Sequence, residues 1–401
     1  MPNGPASRGA AWPRQLVAVV GISLLARLAV VLAGPDGETD AYAHLRIAHA
    51  VLGDPNNLHV HWVWLPGWHW LVAGLLRLGV SEVGVRLLVA CLAMAAPLIV
   101  YRWLVIRAPD QALLAAQACA LAPVANRLGT TTMPETLFAL LLLLVALALG
   151  GARGVVAGLL LAGACWLRYE AWGVLPLLVM AAAVRRVSVW TWIPGAVAVV
   201  LWLVWRWQVD GDWLVFVGVT RQFTSGLRDA VQLPWLIDSV LLPLLVPWLA
   251  FGPALVLLPW GVDRHCASSS PDRLVWLVPA GVLGFVLVAY LGGSAMPLDR
   301  YLTPLVPFVS VLLARGAQRV DRARRHAARG SLQVSATRLL LASLALTTLC
   351  HFGWVLVVGP DLRLEHNGVD RHPVVGPDVT SGHRAHRGIP LGVCAGCANP
   401  Q

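Results

Sequence analysis

The sequence predicts an all-α fold, a polytopic bundle of transmembrane helices, and three observations predict it. Hydrophobic residues make up 58% of the 401 and charged residues only 12%, with a mean hydropathy of +0.71, well outside the balance of a soluble globular chain. Apolar runs close to the ~20 residues needed to cross a bilayer recur along the whole chain. The formal charge of +10 comes from arginine alone, since the sequence contains no lysine, and those arginines fall in short clusters between the apolar runs. That is the pattern of loop charges that set orientation in a membrane; a nucleic-acid surface would gather them, so no nucleic-acid partner is expected.

Taken in order, the runs 15–33, 84–105, 112–127, 135–150, 155–167, 172–184, 189–207, 235–260, 274–291, 301–314 and 337–358 give roughly eleven spans. The first run has no small-residue cleavage site behind it and is expected to remain as a span. The runs 155–167 and 172–184 read equally well as one broken helix. Arg8 and Arg14, Arg102 and Arg107, Arg153, Arg185 and Arg186, Arg264 and Arg273, and the basic stretch 315–329 all fall on one side if the spans alternate. That side is the cytoplasm, which places the N-terminus inside a plasma membrane. The outer connections are then 34–83, 128–134, 168–171, 208–234, 292–300 and the tail after 359. Residues 1–360 read as one membrane domain and 361–401 as a disordered tail. No internal repeat is visible, and no soluble segment is long enough to bury its own core.

Nearly every polar residue fit for chemistry lies in those outer connections. In "ETDAYAHLRIA", Thr39 or Asp40 can cap a helix running through Ala50, with Ala41, Leu45, Ala48 and Leu52 as its apolar face. His44 follows Asp40 by four residues and shares its side, so Asp40 is either a simple N-cap or a site acid. "HVHWVWLPGWHW" reads as an amphipathic interfacial helix interrupted at Pro66-Gly67, with His59, His61 and His69 among Trp62, Trp64, Trp68 and Trp70. Such rings lie at a membrane surface or stack on a sugar, and His59 and His61 lack an acidic third ligand for a metal. "TTTMPE" starts a helix at Glu135 behind Pro134. "LRYEAW" sets Arg168 and Glu170 between two spans, where ionisable groups are costly unless paired or facing a polar cavity. They form either a structural ion pair or an arginine held for a phosphate, whose oxygens match the planar fork of donors. "PLDRYLTP" repeats the arrangement with Asp299, Arg300 and Tyr301. Of the seven cysteines, Cys91, Cys119, Cys165 and Cys350 read as small core residues. Cys394 and Cys397 form a pair in a Gly/Pro/His-rich tail, without the partners of a four-ligand zinc site, and are expected to be incidental or disulfide-bonded.

On the segments "ETDAYAHLRIA", "MPETLFALLLLL", "CWLRYEAWGVLPLL" and "DRYLTPLVPF", the chain resembles the C-type (GT-C) superfamily of membrane glycosyltransferases. "DAYAHLRIA" is also similar to the corresponding piece of oligosaccharyltransferase catalytic subunits, although the sequence holds no WWDYG-type signature and no large soluble domain after the last span. The resemblance implies a hexosyl- or pentosyltransferase, mannosyltransferase-like in expectation, that takes a sugar from a polyprenyl-phosphate carrier. Delivery is to a glycan, glycolipid or protein acceptor on the outer face, amid membrane lipids. Asp40 matches the superfamily's acid after the first span, which acts as general base or, in metal-dependent branches, helps hold a divalent metal. The resemblance further implies that Arg168 or Arg300 meets the leaving phosphate and that Glu135 and Glu170 position sugar hydroxyls or the arginines; His44, His61 and Tyr301 are expected with them among the substrate-binding residues. The alternatives are a transporter or flippase of lipid-linked sugars, whose charges would sit near the bilayer midplane, often in two matching halves, and an oligosaccharyltransferase-like enzyme.

Overall fold

The structure is a computed structural model that describes residues 13–34, 36–231, 234, 237–262, 270–296, 298–327 and 335–369. Among the described residues every regular element is helical and none is a strand. The chain opens with α1 (Arg14–Ala33), then α2 (Thr39–Gly53), a 3-10 turn Leu58–His61 and α3 (Pro66–Arg77). Next come α4 (Glu82–Ala93), α5 (Ala95–Arg107), α6 (Pro109–Ala120), α7 (Pro123–Leu128), α8 (Glu135–Gly150) and α9 (Gly154–Leu167). A 3-10 turn Tyr169–Gly173 leads into α10 (Val174–Ala183), followed by α11 (Ile193–Asp210) and α12 (Val215–Val231). The last part comprises α13 (Leu242–Phe251), α14 (Leu258–Gly261), α15 (Ser270–Val275), α16 (Leu277–Leu291), a 3-10 turn Asp299–Leu305, α17 (Val306–Ala327) and α18 (Ala336–Val369).

Four helical stretches are long and apolar enough to cross a membrane: Arg14–Ala33, Glu82–Arg107, Leu242–Gly261 and Arg273–Leu291. The apolar stretches Glu135–Gly150, Gly154–Leu167, Tyr169–Ala183 and Ala336–Phe352 are shorter. The expected span 112–127 is not one helix, because Pro123 has no N–H to continue α6 and starts α7 instead. The runs 155–167 and 172–184 are separate helices divided by the 3-10 turn that follows Arg168. The basic stretch expected as a loop after 314 continues α17 through Ala327, and the expected outer loop 208–234 contains the amphipathic α12. α18 runs to Val369, past position 361 where the tail was expected to start, and the residues after 369 lie outside the described ones. Cys394 and Cys397 lie outside the described residues.

The apolar side chains divide as a membrane demands. Phe138, Leu142, Leu143 and Leu161 are fully buried between helices, whereas Ile22, Leu25, Leu32, Leu244 and Leu287 are exposed by half or more, a surface tolerable in lipid. Cys119 and Cys165 are buried as expected; Cys91 and Cys350 are not core residues but face outward. Of the close approaches that require glycine, two bear on the site. A Cβ on Gly67 would stand 2.6 Å from the Trp166 carbonyl oxygen, which lets α3 dock on α9. One on Gly173 would stand 2.3 Å from the Gly281 carbonyl oxygen, which lets the turn after Arg168 lie directly on α16.

α2 meets its expected pattern: Ala41, Leu45 and Ala48 are buried against α3, and Leu52 is half-buried. α3 begins at Pro66, where the sequence predicted the interruption, and buries Trp68, His69, Val72 and Ala73. α8 packs on α9 and against the 3-10 turn Asp299–Leu305. The ends of α2, α8, α9 and that turn are thereby brought to one region.

Candidate active site

The segment 130–132, three consecutive threonines, is the strap that fixes the geometry of this region. The Thr132 N–H donates to Asp36 Oδ2 at 2.7 Å, and the Thr132 hydroxyl donates to the same oxygen. Arg86 Nε donates to the Thr130 carbonyl at 2.8 Å and Arg86 Nη1 to the Gly34 carbonyl at 2.9 Å, while Trp68 Nε1 donates to the Thr132 carbonyl at 2.9 Å. The start of α2, the start of α3 and the start of α8 are tied to one another through backbone groups that would otherwise be buried unpaired. Burial pushes the Asp36 carboxyl up to about 6, against the two hydrogen bonds from Thr132 and the nearby Arg86 cation.

Three arginines and five carboxylates meet above this strap. Arg300 Nη1 donates to Asp40 Oδ2 in a short ion pair. Arg168 bridges two acids: Nη1 to Glu135, with Nε and Nη2 to Glu170 Oε1 at 2.9 and 2.7 Å. Arg127 bridges Glu38 and Asp299, the latter at 2.7 Å. The Tyr301 ring joins the first two sets, with the Arg168 guanidinium carbon 5.5 Å and that of Arg300 5.7 Å from its centroid. Each ionisable group sits at a helix end or in a 3-10 turn, where the chain leaves its apolar surroundings. Asp40 and Glu135 lie in first turns, where the helix dipole also favours an anion.

Accessibility separates the members. The Asp40 side chain is 32% exposed, against 17% for Arg300, 13% for Arg168, 6% for Glu170 and 1% for Glu135. Asp40 is therefore the carboxylate a second molecule can reach, and Glu135 is the one it cannot. Burial pulls the Asp40 carboxyl up, but the Arg300 cation and its hydrogen bond, with lesser help from His44 and Arg168, hold it below its ordinary value. Burial likewise opposes the charges on Arg168 and Arg300, and their partners outweigh it: Glu135 and Glu170 for the first, Tyr301, Asp40 and Glu135 for the second. Asp40 is not the cap of α2. That position is held by Glu38, whose side chain makes no cap hydrogen bond, and the Asp40 carboxylate turns to Arg300.

Beside the charged cluster lies a row of three imidazoles. His44 Nδ1 is 2.8 Å from His69 Nε2, and His69 Nδ1 is 2.9 Å from His61 Nδ1; His44 is 4% exposed and the other two are fully buried. Burial is the main reason that His44 is pushed down to about 3, His61 to about 4 and His69 well below its ordinary value. A histidine depressed in the folded state contributes stability that is complete above its unfolded value near 6.5 and is lost as pH falls toward the folded one. The thermal midpoint in detergent is thus expected to drop between pH 6.5 and pH 4, and the slope to lessen in His61→Leu. A midpoint flat across that window would contradict the buried neutral row.

Of the residues expected from sequence, Asp40, Glu135, Arg168, Glu170, Arg300 and Tyr301 are brought together. His44 and His61 belong to the adjoining histidine row. The ion-pair partners Glu38, Arg127 and Asp299 and the central His69 were not among the expected site residues. Arg127 carried a readable signal: like Arg168 and Arg300 it is an arginine at an end of an apolar run, on the side opposite to the other arginines if the expected spans alternate. Among the described residues no group of three or more His, Cys, Asp or Glu is disposed to hold a metal ion. The carboxylates near Asp40 are engaged with arginines, so the donor set as it stands does not fit a divalent metal.

No family model matches the chain, and no curated protein matches it. The fold does have solved counterparts. A crystal structure of the Archaeoglobus fulgidus oligosaccharyltransferase in complex with Zn and sulfate is similar over 84% of this chain and 52% of that one, at a TM-score of 0.52 and 14% identity. The same protein tethered through a disulfide bond to an acceptor peptide containing the NVT sequon is similar over 86% of this chain and 55% of that one, at a TM-score of 0.51 and 14% identity. The chain spans about half the length of that enzyme.

Proposed function

We propose that this protein is an integral-membrane glycosyltransferase that moves a sugar, mannose-like, from a polyprenyl-phosphate carrier to an acceptor hydroxyl at the outer face of the plasma membrane. The observation that carries the reading is the Asp40–Arg300 pair: an accessible carboxylate bonded to an arginine, which with Arg168 flanks Tyr301. The acceptor oxygen attacks the anomeric carbon and its proton passes to Asp40, as the bond from that carbon to the phosphate oxygen breaks and the phosphate leaves with the electron pair. Protonation of Asp40 neutralises the partner of Arg300 at the moment when negative charge grows on the phosphate. The guanidinium is thereby freed to bind the phosphate with charge-assisted hydrogen bonds. Glu135 and Glu170 hold Arg168 in place, and Trp64, its ring 4.8 Å from that of His44, with Trp62 beside it offers aromatic faces to the sugar or the lipid. The sulfate bound in the archaeal enzyme is a tetrahedral anion of the same class as that phosphate.

In this reading the four shorter apolar helices and the runs 112–127, 189–207 and 301–314 also cross the bilayer, making roughly eleven spans with the N-terminus cytoplasmic. The gathering of charges in one cluster, rather than in two matching halves, speaks against a transporter or flippase. The test is transfer of radiolabel in membranes containing the protein, with polyprenyl-phosphate mannose and a nucleotide sugar offered separately. Transfer from the lipid-linked donor alone is expected. Transfer from the nucleotide sugar in membranes depleted of polyprenyl phosphate would remove the lipid donor from the proposal.

A further inference from the structure

The row His44, His69, His61 has a proton order as well as a geometry. Both ring nitrogens of His69 face another imidazole, at 2.8 and 2.9 Å. A neutral imidazole carries one N–H, so His69 must donate to one neighbour and accept from the other. Only two orders then exist. In the first, His61 Nδ1–H donates to His69 Nδ1 and His69 Nε2–H donates to His44 Nδ1. His44 then keeps its proton on Nε2, and His61 Nε2 is bare. In the second every proton is reversed, and His44 Nε2 is a bare acceptor.

The two ends choose between these orders, and they agree. At the far end His61 Nε2 is sealed from solvent and has no hydrogen-bond partner among the described residues, and the charge acting on that ring is the Arg206 cation, which disfavours a proton there. At the near end the strongest charge acting on His44 is the Asp40 carboxylate, which favours an N–H. Arg168 and Arg300 act on His44 in the opposite sense, each more weakly, and both are paired with carboxylates. A cation at one end and an anion at the other polarise the row toward the first order.

We infer that His69 is a positioning residue that locks His44 in its Nε2–H tautomer, so that beside Asp40 His44 presents a hydrogen-bond donor for an oxygen atom of the substrate or the carboxylate and does not serve as a second base. The role of that donor in turnover rests on the glycosyl-transfer reading; the tautomer does not. The sequence holds 12 histidines, and the row is invisible in it because His44, His61 and His69 come from three separate elements.

The test is nitrogen NMR of the full chain, ¹⁵N-labelled at histidine, in lipid nanodiscs without substrate, with the His44 signals assigned by their loss in His44→Gln. A protonated Nε2 and a bare Nδ1 on His44 are expected; a protonated Nδ1 overturns the inference. His69→Gln places an amide where Nε2 stood, which can still donate to His44 Nδ1, and should leave the tautomer unchanged. His69→Glu offers only an acceptor once its carboxyl ¹³C shift shows it ionised and should then reverse it, and an unreversed tautomer in that folded, ionised variant also overturns the inference. If that variant does not fold, the wild-type and His69→Gln spectra decide. Where transfer is measured, His69→Gln should turn over normally and His69→Glu should lose about tenfold in kcat with KM little changed, the size of one hydrogen bond of roughly 1.4 kcal/mol. Absence of transfer in every variant including wild type sinks the glycosyltransferase reading and leaves the tautomer result standing.

Discussion

Asp40→Asn is expected to lower sugar transfer by roughly a hundred- to ten-thousand-fold, the range associated with loss of a general base, while the protein stays folded. Asparagine keeps the shape of the side chain, and its carbonyl still accepts from Arg300, so the local packing survives. It loses only the capacity to take a proton and the charge that Arg300 faces. Asparagine is also among the best N-caps, so a helix-start role would be almost fully preserved by the substitution. Initial rates from a radiolabelled polyprenyl-phosphate sugar, set beside a thermal melt followed by tryptophan fluorescence, separate the two outcomes. A rate near wild type would return Asp40 to a structural role. Because Arg300 holds the Asp40 carboxyl below its ordinary value, the wild-type rate per folded molecule should be maintained as pH falls through the usual carboxylate range and decline only below it.

The second large effect distinguishes the two arginines by what each already holds. Arg168 spends three N–H groups on Glu135 and Glu170, and its side chain is only 13% exposed. Arg168→Leu should therefore destabilise the fold by about 3–5 kcal/mol, the usual cost of stripping one partner from a buried ion pair, because two buried carboxylates lose their cation. Among the described residues Arg300 makes a single hydrogen bond, to the most accessible acid of the two sets that flank Tyr301. Arg300→Lys keeps the charge and should leave the melt nearly unchanged, but a point charge cannot bond Asp40 and a phosphate in one plane. Turnover should then fall by roughly a hundredfold, as for loss of one aimed donor at a developing anion. The measurement is the pair of melts and the pair of rates. Wild-type rates in both Arg300→Lys and Arg168→Lys would refute the phosphate clamp, and an unchanged melt in Arg168→Leu would refute the bridging role.

Much of this was legible without coordinates, because it depends on local chemistry. The apolar runs, the interruption at Pro66, the start of α8 at Glu135 behind Pro134, the helix from Thr39 with its face of Ala41, Leu45 and Ala48, and the cost of leaving Arg168 and Glu170 between apolar runs follow from residue type and spacing alone. The run 112–127 misled because composition cannot register where Pro123 breaks the backbone ladder. The basic stretch after 314 misled because charge predicts exposure and does not forbid helix, so α17 continues through it.

What the sequence by itself determined is which residue types stand at which helix ends, and so that acids and arginines would be held where the chain leaves its apolar surroundings. What only the tertiary structure decided is who pairs with whom. Asp40 and Arg300 are separated by 260 positions, Arg127 and Asp299 by 172, and no periodicity spans such distances. The choice of Arg168 for Glu135 and Glu170, the rejection of the cap role for Asp40, and the joining of His44 to His61 through His69 were set by close helix packing through Gly67 and Gly173 and by the threonine strap. The physical reason is that an ion pair or a shared imidazole proton has a range of a few ångströms, so it is specified by how helices from distant parts of the chain pack together and only indirectly by the order of residues along it.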